Sequence, residues 1–220
     1  MHQDNRSIFM QEASMADTHP TGNNEDGQSF TFKAETKQLL NILIHSLYKD
    51  REVFLREMLS NASDALNRIR FEMLTDRDVL NPEAELCIRI SADKETRTLT
   101  IQDTGIGMTK DEIIENLGTI AQSGARSFVE ATKEKKFDLS QLIGQFGVGF
   151  YSVFMVAEWV RVTSRSYKPR AKAVSWYATG EDNFQVSAAE MSARGTKVEV
   201  KLKKDATEFA CVVRLPSTPT

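Results

Sequence analysis

The spacing of hydrophobic residues predicts two amphipathic helices early in the chain. Between Thr31 and Tyr48, apolar side chains recur every three or four residues, at Leu39, Leu40, Leu43, Ile44 and Leu47. A second, longer helix is expected to begin after an N-cap at Asp50 and to end near Leu74. Both helices have one apolar face, so both need a partner layer to cover it.

Alternating apolar and polar residues predict a sheet as that partner. The strand candidates are residues 86–91, 98–103, 160–166, 172–178 and 196–202. Thr109 with Glu112 forms a capping box that opens a helix of about two turns ending near Gly118, and residues 150–158 predict an apolar helix. Helices early, with strands around and after them, favour an α+β two-layer sandwich whose mostly antiparallel sheet is covered by helices on one face.

Composition narrows the class of protein. The chain has 220 residues, 40% of them hydrophobic and 27% charged, which suits one sizeable globular domain. A net charge of −3 gives no argument for a nucleic-acid or membrane partner, and no apolar run approaches the roughly 20 residues of a membrane span. Cys87 and Cys211 lie far apart and match no metal-ligand spacing, which favours a reducing compartment and a cytoplasmic location.

The first 29 residues differ from the rest of the chain. They are polar, lack periodicity, and have neither the apolar core of a secretory signal nor the basic character of a mitochondrial presequence. We expect residues 1–29 to be a disordered leader, with Met1, Met10 and Met15 all open as starts.

Glycine is concentrated in the middle of the chain. Seven of the eleven glycines fall within residues 105–149. Because glycine is used where the backbone takes positive φ or approaches a ligand closely, this region is where we expect a binding site or a moving loop.

Three patterns carry candidate chemistry. The first is on the second helix, where Glu57, Asn61 and Asp64 fall within roughly 60° of one another at the border of the apolar face. A solvated helix face would show the same spacing, so the alternative stays open.

The second pattern is DTGIGM, residues 103–108. Asp103 ends a strand, where its carboxylate could accept a hydrogen bond from a ligand amino group, and the glycines after it allow the backbone to approach a flat ring. A tight strand-to-helix turn with an incidental aspartate is the alternative.

The third pattern is GQFGVGFYS, residues 144–152. A glycine loop that runs into a helix exposes backbone N–H groups to phosphate. It is neither a P-loop, because no Gly-Lys-Ser/Thr follows, nor the dinucleotide fingerprint, because Ser152 stands where the third glycine should be.

Taken in order, these patterns resemble a known ATP-binding fold. A helix with Glu-x-x-x-Asn-x-x-Asp, a strand with Asp-x-Gly-x-Gly, a Gly-x-x-Gly-x-Gly loop and a late Gly-Thr (Gly195, Thr196) resemble the GHKL-type (Bergerat) fold of gyrase-type topoisomerases, heat-shock protein 90 chaperones, histidine kinases and MutL-type proteins. NILIHSLYKDREVFLREMLSNASDAL, TIQDTGIGMT, LGTIAQSGARSF and QLIGQFGVGFYSVFMVA are similar to the N-terminal domain of the heat-shock protein 90 family, most of all its bacterial members. The resemblance covers residues 30–209.

The resemblance implies a role for each candidate residue in binding ATP and Mg²⁺. Asp103 would hold the adenine amino group, helped by Thr196, with Gly107 and Met108 lining the ring and Asp64 and Asn116 shaping the pocket. Glu57 would be the general base, and Asn61 would coordinate Mg²⁺ through its side-chain oxygen. Residues 118–144 would form a lid. The phosphates would meet Gly144, Gly147, Val148 and Gly149, with Phe150 as a wall.

The resemblance also implies what this chain lacks. In the family, an arginine from a middle domain assists hydrolysis, so we expect ATP binding with weak hydrolysis here. Client proteins and co-chaperones are expected partners of the full-length form, and a homodimer only with the family's C-terminal domain. A nucleotide-binding-only protein without a chaperone cycle is the alternative. A histidine kinase is a distant third, because His45 is more simply a structural residue of the first helix.

Two stretches depart from the family pattern. Ala125 stands in the lid where relatives usually have threonine. Residues 210–220, ACVVRLPSTPT, show no resemblance to the family. A frameshift, an early stop, a mis-called gene or a natural short variant would each produce such a tail.

Overall fold

The computed structural model describes residues 27–45, 51–118, 122–132 and 139–210. Within them the sheet has seven strands, in the spatial order β1-β6-β5-β4-β7-β3-β2, and every neighbouring pair is antiparallel. The strands are β1 (Gln28–Thr31), β2 (Ile88–Asp93), β3 (Thr98–Asp103), β4 (Ala157–Arg165), β5 (Val174–Ala178), β6 (Asn183–Ala188) and β7 (Gly195–Leu202).

Helices cover one face of this sheet. They are α1 (Ala34–His45), α2 (Val53–Thr75), α3 (Lys110–Gly118), α4 (Gln122–Thr132) and α5 (Leu139–Gln145), with two 3₁₀ segments, η1 (Gly149–Met155) and η2 (Lys204–Ala210). The α+β sandwich with an antiparallel sheet is therefore confirmed.

The core lies between the helices and the inward face of the sheet. On β5, Val174, Trp176 and Ala178 are buried, whereas Ser175 and Tyr177 between them are partly exposed, as the alternation of side chains along a strand requires. The helical layer supplies Phe54 and Leu43, both fully buried. Each such apolar side chain contributes roughly 1.5–3 kcal/mol through its removal from water.

Several element boundaries differ from the sequence prediction. Strand β1 begins at Gln28, inside the predicted 1–29 leader, whose residues 1–26 lie outside the described part of the chain. The first helix begins at Ala34 rather than Thr31. Helix α2 begins at Val53 with Glu52 at its N-cap, while Asp50 falls outside the described residues.

The middle of the chain is more helical than its weak periodicity indicated. Helices α4 and α5 lie within residues 118–146. The predicted helix at 150–158 is wrong in type and length, because Gly149–Met155 is a 3₁₀ segment and Ala157 already belongs to β4. Strand β6 was missed, although Phe184 and Val186 alternate as buried residues.

The register brings the ends of three strands together at one edge of the sheet. Asp103 of β3 is opposite Thr196 of β7, and Thr196 is in turn opposite Ser164 of β4. Residues far apart in sequence therefore share one wall, which faces the helical layer.

Candidate functional site

A cavity of about 580 Å³ opens between α2, the loop after β3, the start of η1 and the inward face of β7. Eleven of the thirteen predicted site residues line it: Glu57, Asn61, Asp64, Asp103, Gly107, Met108, Asn116, Gly147, Gly149, Phe150 and Thr196. The three sequence patterns therefore meet in one place.

The α2 side of the cavity is built by helical spacing. Glu57, Asn61 and Asp64 lie along one edge of the helix, next to the buried Met58 and Ala62. Glu57 is half-buried, whereas Asn61 and Asp64 are exposed to solvent. The helix thus presents one sheltered carboxylate and two polar groups that are open to an incoming ligand.

Asp103 is the most buried charged group of the cavity wall. Its residue is 6% exposed, and its Oδ1 accepts a hydrogen bond of 2.8 Å from the Gly105 N–H. Burial raises its pKa to about 6, against the opposing effects of the backbone N–H groups of Gly105 and Thr196 and the charge of Arg194. Above that pH the group is an anionic acceptor, suited to a ligand amino group.

Ser164 organises the same wall, and sequence reasoning missed it. Its Oγ accepts a hydrogen bond of 2.9 Å from the Met108 N–H and lies 2.9 Å from Thr196 Oγ1 and 3.0 Å from the Gly195 carbonyl oxygen. One buried hydroxyl therefore orients the Thr196 hydroxyl and the turn after β3. The sequence pattern could have revealed it, because Ser164 alternates with Val160 and Val162 and so lies on the inward face of β4.

The turn after β3 requires glycine. Gly107 has φ +62°, and a Cβ there would overlap the Arg165 carbonyl oxygen. At Gly105 a Cβ would lie 2.6 Å from Ala65 Cβ, and the Ile106 N–H donates to the Ala65 carbonyl at 3.1 Å. The turn is therefore packed directly on α2, which fixes Asp103 relative to Asn61 and Asp64.

The start of α3 closes the cavity on another side. The capping box is confirmed: the Thr109 N–H donates to Glu112 Oε2 at 2.7 Å, and the Glu112 N–H donates to Thr109 Oγ1 at 3.3 Å. One turn further on, Asn116 Nδ2 lies 3.8 Å from Met108 Sδ. Met108 and Asn116 thus lie side by side on the cavity wall.

At the opposite end of the cavity the glycine loop meets Glu57. A Cβ on Gly149 would overlap the Glu57 carboxylate, so the absence of a side chain there lets the two elements touch. Gly147 has φ +66° and nothing within 4 Å of the position of a Cβ. Phe150 is half-buried, with its ring centroid 5.5 Å from that of Trp176.

Two predicted residues do not line the cavity. Gly144 is exposed, and a Cβ there would lie 3.9 Å from Glu57 Oε1. Val148 is fully buried, and its N–H donates to the Ile143 carbonyl at 3.3 Å. The side chain of Val148 therefore packs in the core, and its N–H is already engaged. The predicted phosphate contacts of both residues stay predictions.

Comparison with known proteins defines the class. The family described as histidine kinase-, DNA gyrase B-, and HSP90-like ATPase matches residues 48–208. The chain belongs to this family of ATPase domains.

Individual relatives narrow the resemblance further. The chain is 47% identical over 197 residues to the chaperone protein HtpG of Chlorobium chlorochromatii, and the aligned region covers 89% of this chain and 31% of that relative. It is 48% identical over 189 residues to the HtpG of Coxiella burnetii (86% and 30%) and 50% identical over 181 residues to that of Desulfitobacterium hafniense (81% and 29%). The chain thus matches the ATPase domain of these chaperones and spans less than a third of their length.

The helices in the described part of the chain are all too short or too polar to cross a membrane.

Proposed function

We propose that this chain binds ATP with Mg²⁺ in the cavity and acts as the weakly hydrolysing ATP-binding domain, residues 30–209, of a heat-shock protein 90 type chaperone. The observation that carries the proposal is the buried Asp103 carboxylate, because an acidic acceptor on an apolar wall selects a ligand with an exposed amino group.

The adenine is assigned to the end of the cavity at Asp103. Ile101, Val162 and Val198 supply apolar surface around the carboxylate, and the Thr196 hydroxyl, held by Ser164, offers a second polar contact. Apolar walls with a few fixed polar groups are the usual design of a site for a flat heterocycle. Gly107 and Met108 line the ring, and Asp64 and Asn116 shape the rest of the pocket.

The phosphates are assigned to the end at Glu57, Gly147 and Gly149, with Gly144 and Val148 next to it and Phe150 as a wall. Among the described residues, no group of three or more His, Cys, Asp or Glu is arranged to hold a metal ion. Mg²⁺ does not need such a group, because it keeps several waters and takes ligands from phosphates as well as from protein. Asn61 would supply one side-chain oxygen, and the bound ion would neutralise phosphate charge.

For ATP hydrolysis we propose Glu57 as the general base. Its carboxylate would accept a proton from water as the water oxygen bonds to the γ-phosphorus and the bond to the ADP oxygen breaks. The same reaction is faster with an arginine on the developing negative charge. In the family that arginine comes from a middle domain, so residues 30–209 by themselves are expected to hydrolyse ATP slowly. A lid over residues 118–144 would exclude water from the closed site.

The chaperone role belongs to the longer protein of which such a domain is a part. Client proteins, co-chaperones and a homodimer are proposed for that form, in the cytoplasm and in protein folding under stress. A nucleotide-binding-only protein is the second candidate, and the match to less than a third of each relative is compatible with it. If the wild type releases phosphate slowly from ATP, and Glu57→Gln abolishes this release without loss of ADP binding, the hydrolysing domain is favoured. If neither the wild type nor Glu57→Gln releases phosphate, the nucleotide-binding-only protein is favoured.

Titration calorimetry with ADP and Mg²⁺ tests the site assignment. Asp103→Asn is expected to weaken binding at least a hundredfold, because the amide oxygen would accept from the Gly105 N–H and the NH₂ group would then face the adenine amino group. Asp111→Asn is the matched control, since Asp111 is exposed on α3 and does not line the cavity. Equal binding by the wild type and Asp103→Asn would overturn the assignment.

A further inference from the structure

The segment that follows β7 is bonded to the far end of η1. The Lys203 backbone N–H donates to the Val156 carbonyl at 2.8 Å. Its ammonium donates to the carbonyls of Phe154, at 2.9 Å, and Met155, at 3.3 Å. Phe154 and Met155 are the last two residues of η1 and Val156 is its C-cap, so these carbonyls have no partner within a helix. One half-buried lysine therefore supplies donors to three consecutive carbonyls.

The same segment is bonded to the start of α2. Arg51, two residues before the helix, donates to the Asp205 carboxylate at 2.8 Å and to the Asp205 carbonyl at 3.0 Å. Phe209 packs edge-on against the fully buried Phe54 of the first turn, with ring centroids 5.0 Å apart. We call Arg51, Lys203, Asp205 and Phe209 together the clasp.

The two elements that the clasp holds also meet inside the cavity. Glu57 lies one turn beyond Phe54 on α2, and Gly149 begins η1. Their contact is close enough that any side chain on residue 149 would displace the carboxylate. The clasp residues do not line the cavity. They therefore affect a ligand only through the placement of α2 and η1.

We propose that the clasp is a positioning device for the phosphate end of the site: it sets the angle between α2 and η1, and so the place of the Glu57 carboxylate against the glycine loop. This inference rests on the proposed function. Small displacements of positioned groups have large effects on a bound substrate.

Lys203 is the central residue of the clasp. An ammonium at the end of a helix is favourably placed against the carbonyl dipoles. Burial lowers the pKa of Lys203, and the neighbouring Asp205 carboxylate opposes that effect. An uncharged side chain of similar length would leave the carbonyls of Phe154 and Met155 without these donors. The last turn of η1 would then relax, and Gly149 would shift at its other end.

The base end has a separate support. Thr196 is held between β3 and β4 through the register of β7 and through Ser164. Loss of the clasp is therefore expected to weaken binding of the phosphates and leave binding of the base nearly unchanged. A general loss of folding would weaken both.

Titration calorimetry with Mg²⁺-ADP and with adenosine separates these outcomes. Lys203→Met is expected to weaken ADP binding roughly tenfold and adenosine binding less than twofold. Lys203→Arg, which keeps the cation, is expected to restore most of the ADP affinity. Lys201→Met is the matched control, because Lys201 lies two residues before Lys203, on β7, and its Nζ donates to the Thr96 carbonyl instead of to η1.

A milder variant covers the case in which Lys203→Met does not fold. Asp205→Asn weakens the partly exposed link to Arg51 and removes the attraction of the carboxylate for Lys203, so a loss of roughly twofold to fivefold in ADP affinity, again with adenosine unchanged, is expected. Equal losses for ADP and adenosine, or no loss in either variant, would overturn the positioning role. A wild type that binds neither ligand would overturn the proposed function itself.

Discussion

The two ends of the cavity differ in burial and hydrogen bonding. We call the end at Asp103 the base end and the end at Glu57 and Gly147 the phosphate end, after the proposed function. At the base end Asp103, Ser164 and Thr196 are buried, hydrogen-bonded and held by three paired strands. At the phosphate end Asn61 and Gly147 are exposed, and a Cβ on Gly147 would have nothing within 4 Å. The base end is therefore formed before a ligand arrives, whereas the phosphate end has room to adjust to one.

Because one end is buried and the other exposed, we expect the two ends to have separate roles in the proposed function. A preformed, buried acceptor gives selectivity for the base, because a ligand without the matching donor leaves a buried charge unpaired. An open, glycine-bearing end tolerates the change of shape between a triphosphate and a diphosphate. If the cavity binds ATP as proposed, recognition of the base and turnover depend on different parts of it.

Glycine substitutions give the largest expected contrast between the ends. Gly107→Ala places a side chain at positive φ and against the Arg165 carbonyl, so a loss of about 3 kcal/mol or more in the free energy of unfolding is expected. Gly147→Ala has the same φ problem in open space, so about 1 kcal/mol is expected. Urea unfolding of both variants measures the difference. Equal losses would show that the base end is no more rigid than the phosphate end.

Acid titration probes the base end alone. The pKa of Asp103 is raised from 3.8 to about 6, so this group's contribution to the free energy of unfolding is fully present below pH 3.8 and is lost as pH rises through 6. Nucleotide binding should change in the opposite direction, because the ionised form is the acceptor. At pH 5 the affinity for adenosine, which has no phosphate to titrate, is expected to be roughly tenfold lower than at pH 7.5.

The control for the acid titration is Asp103→Asn. The difference in unfolding free energy between this variant and the wild type should change by up to about 3 kcal/mol between pH 4 and pH 7. A pH-independent difference would contradict the assignment of the buried charge to Asp103.

Removal of the Ser164 hydroxyl gives the smallest expected effect. Ser164→Ala leaves the Met108 N–H without its acceptor and the Thr196 hydroxyl without its neighbour. We expect adenosine and ADP affinity to fall together, by about fivefold, the equivalent of roughly 1 kcal/mol. Calorimetry with both ligands measures this. A loss confined to ADP would place the effect at the phosphate end and break the comparison.

Local patterns predicted those features of the site that depend on local geometry. Helical spacing is enough to place Glu57, Asn61 and Asp64 on one edge of α2, and the capping box between Thr109 and Glu112 spans a single turn. A strand end followed by spaced glycines likewise identified Asp103 and Gly107.

Features that depend on contacts between residues far apart in sequence could not be predicted from local patterns. Ser164 acts through a register that joins β4 to β7 and β7 to β3, which no short window of sequence specifies. Strand β1 has only four residues, and its pairing with β6 gives it its structure. Val148 sits within a glycine motif, yet its side chain belongs to the core. Position in a motif did not reveal which way the side chain points.

The length of strand β7 sets the distance between the cavity wall at Thr196 and the clasp at Lys203. It begins with Gly195 and Thr196 beside Asp103 and ends at Leu202, next to Lys203 of the clasp. A single inserted or deleted residue would turn every later side chain to the opposite face. Even a two-residue change, which restores the alternation, would move one end by roughly 7 Å relative to the other. The number of residues in β7 should therefore tolerate less variation than their identities.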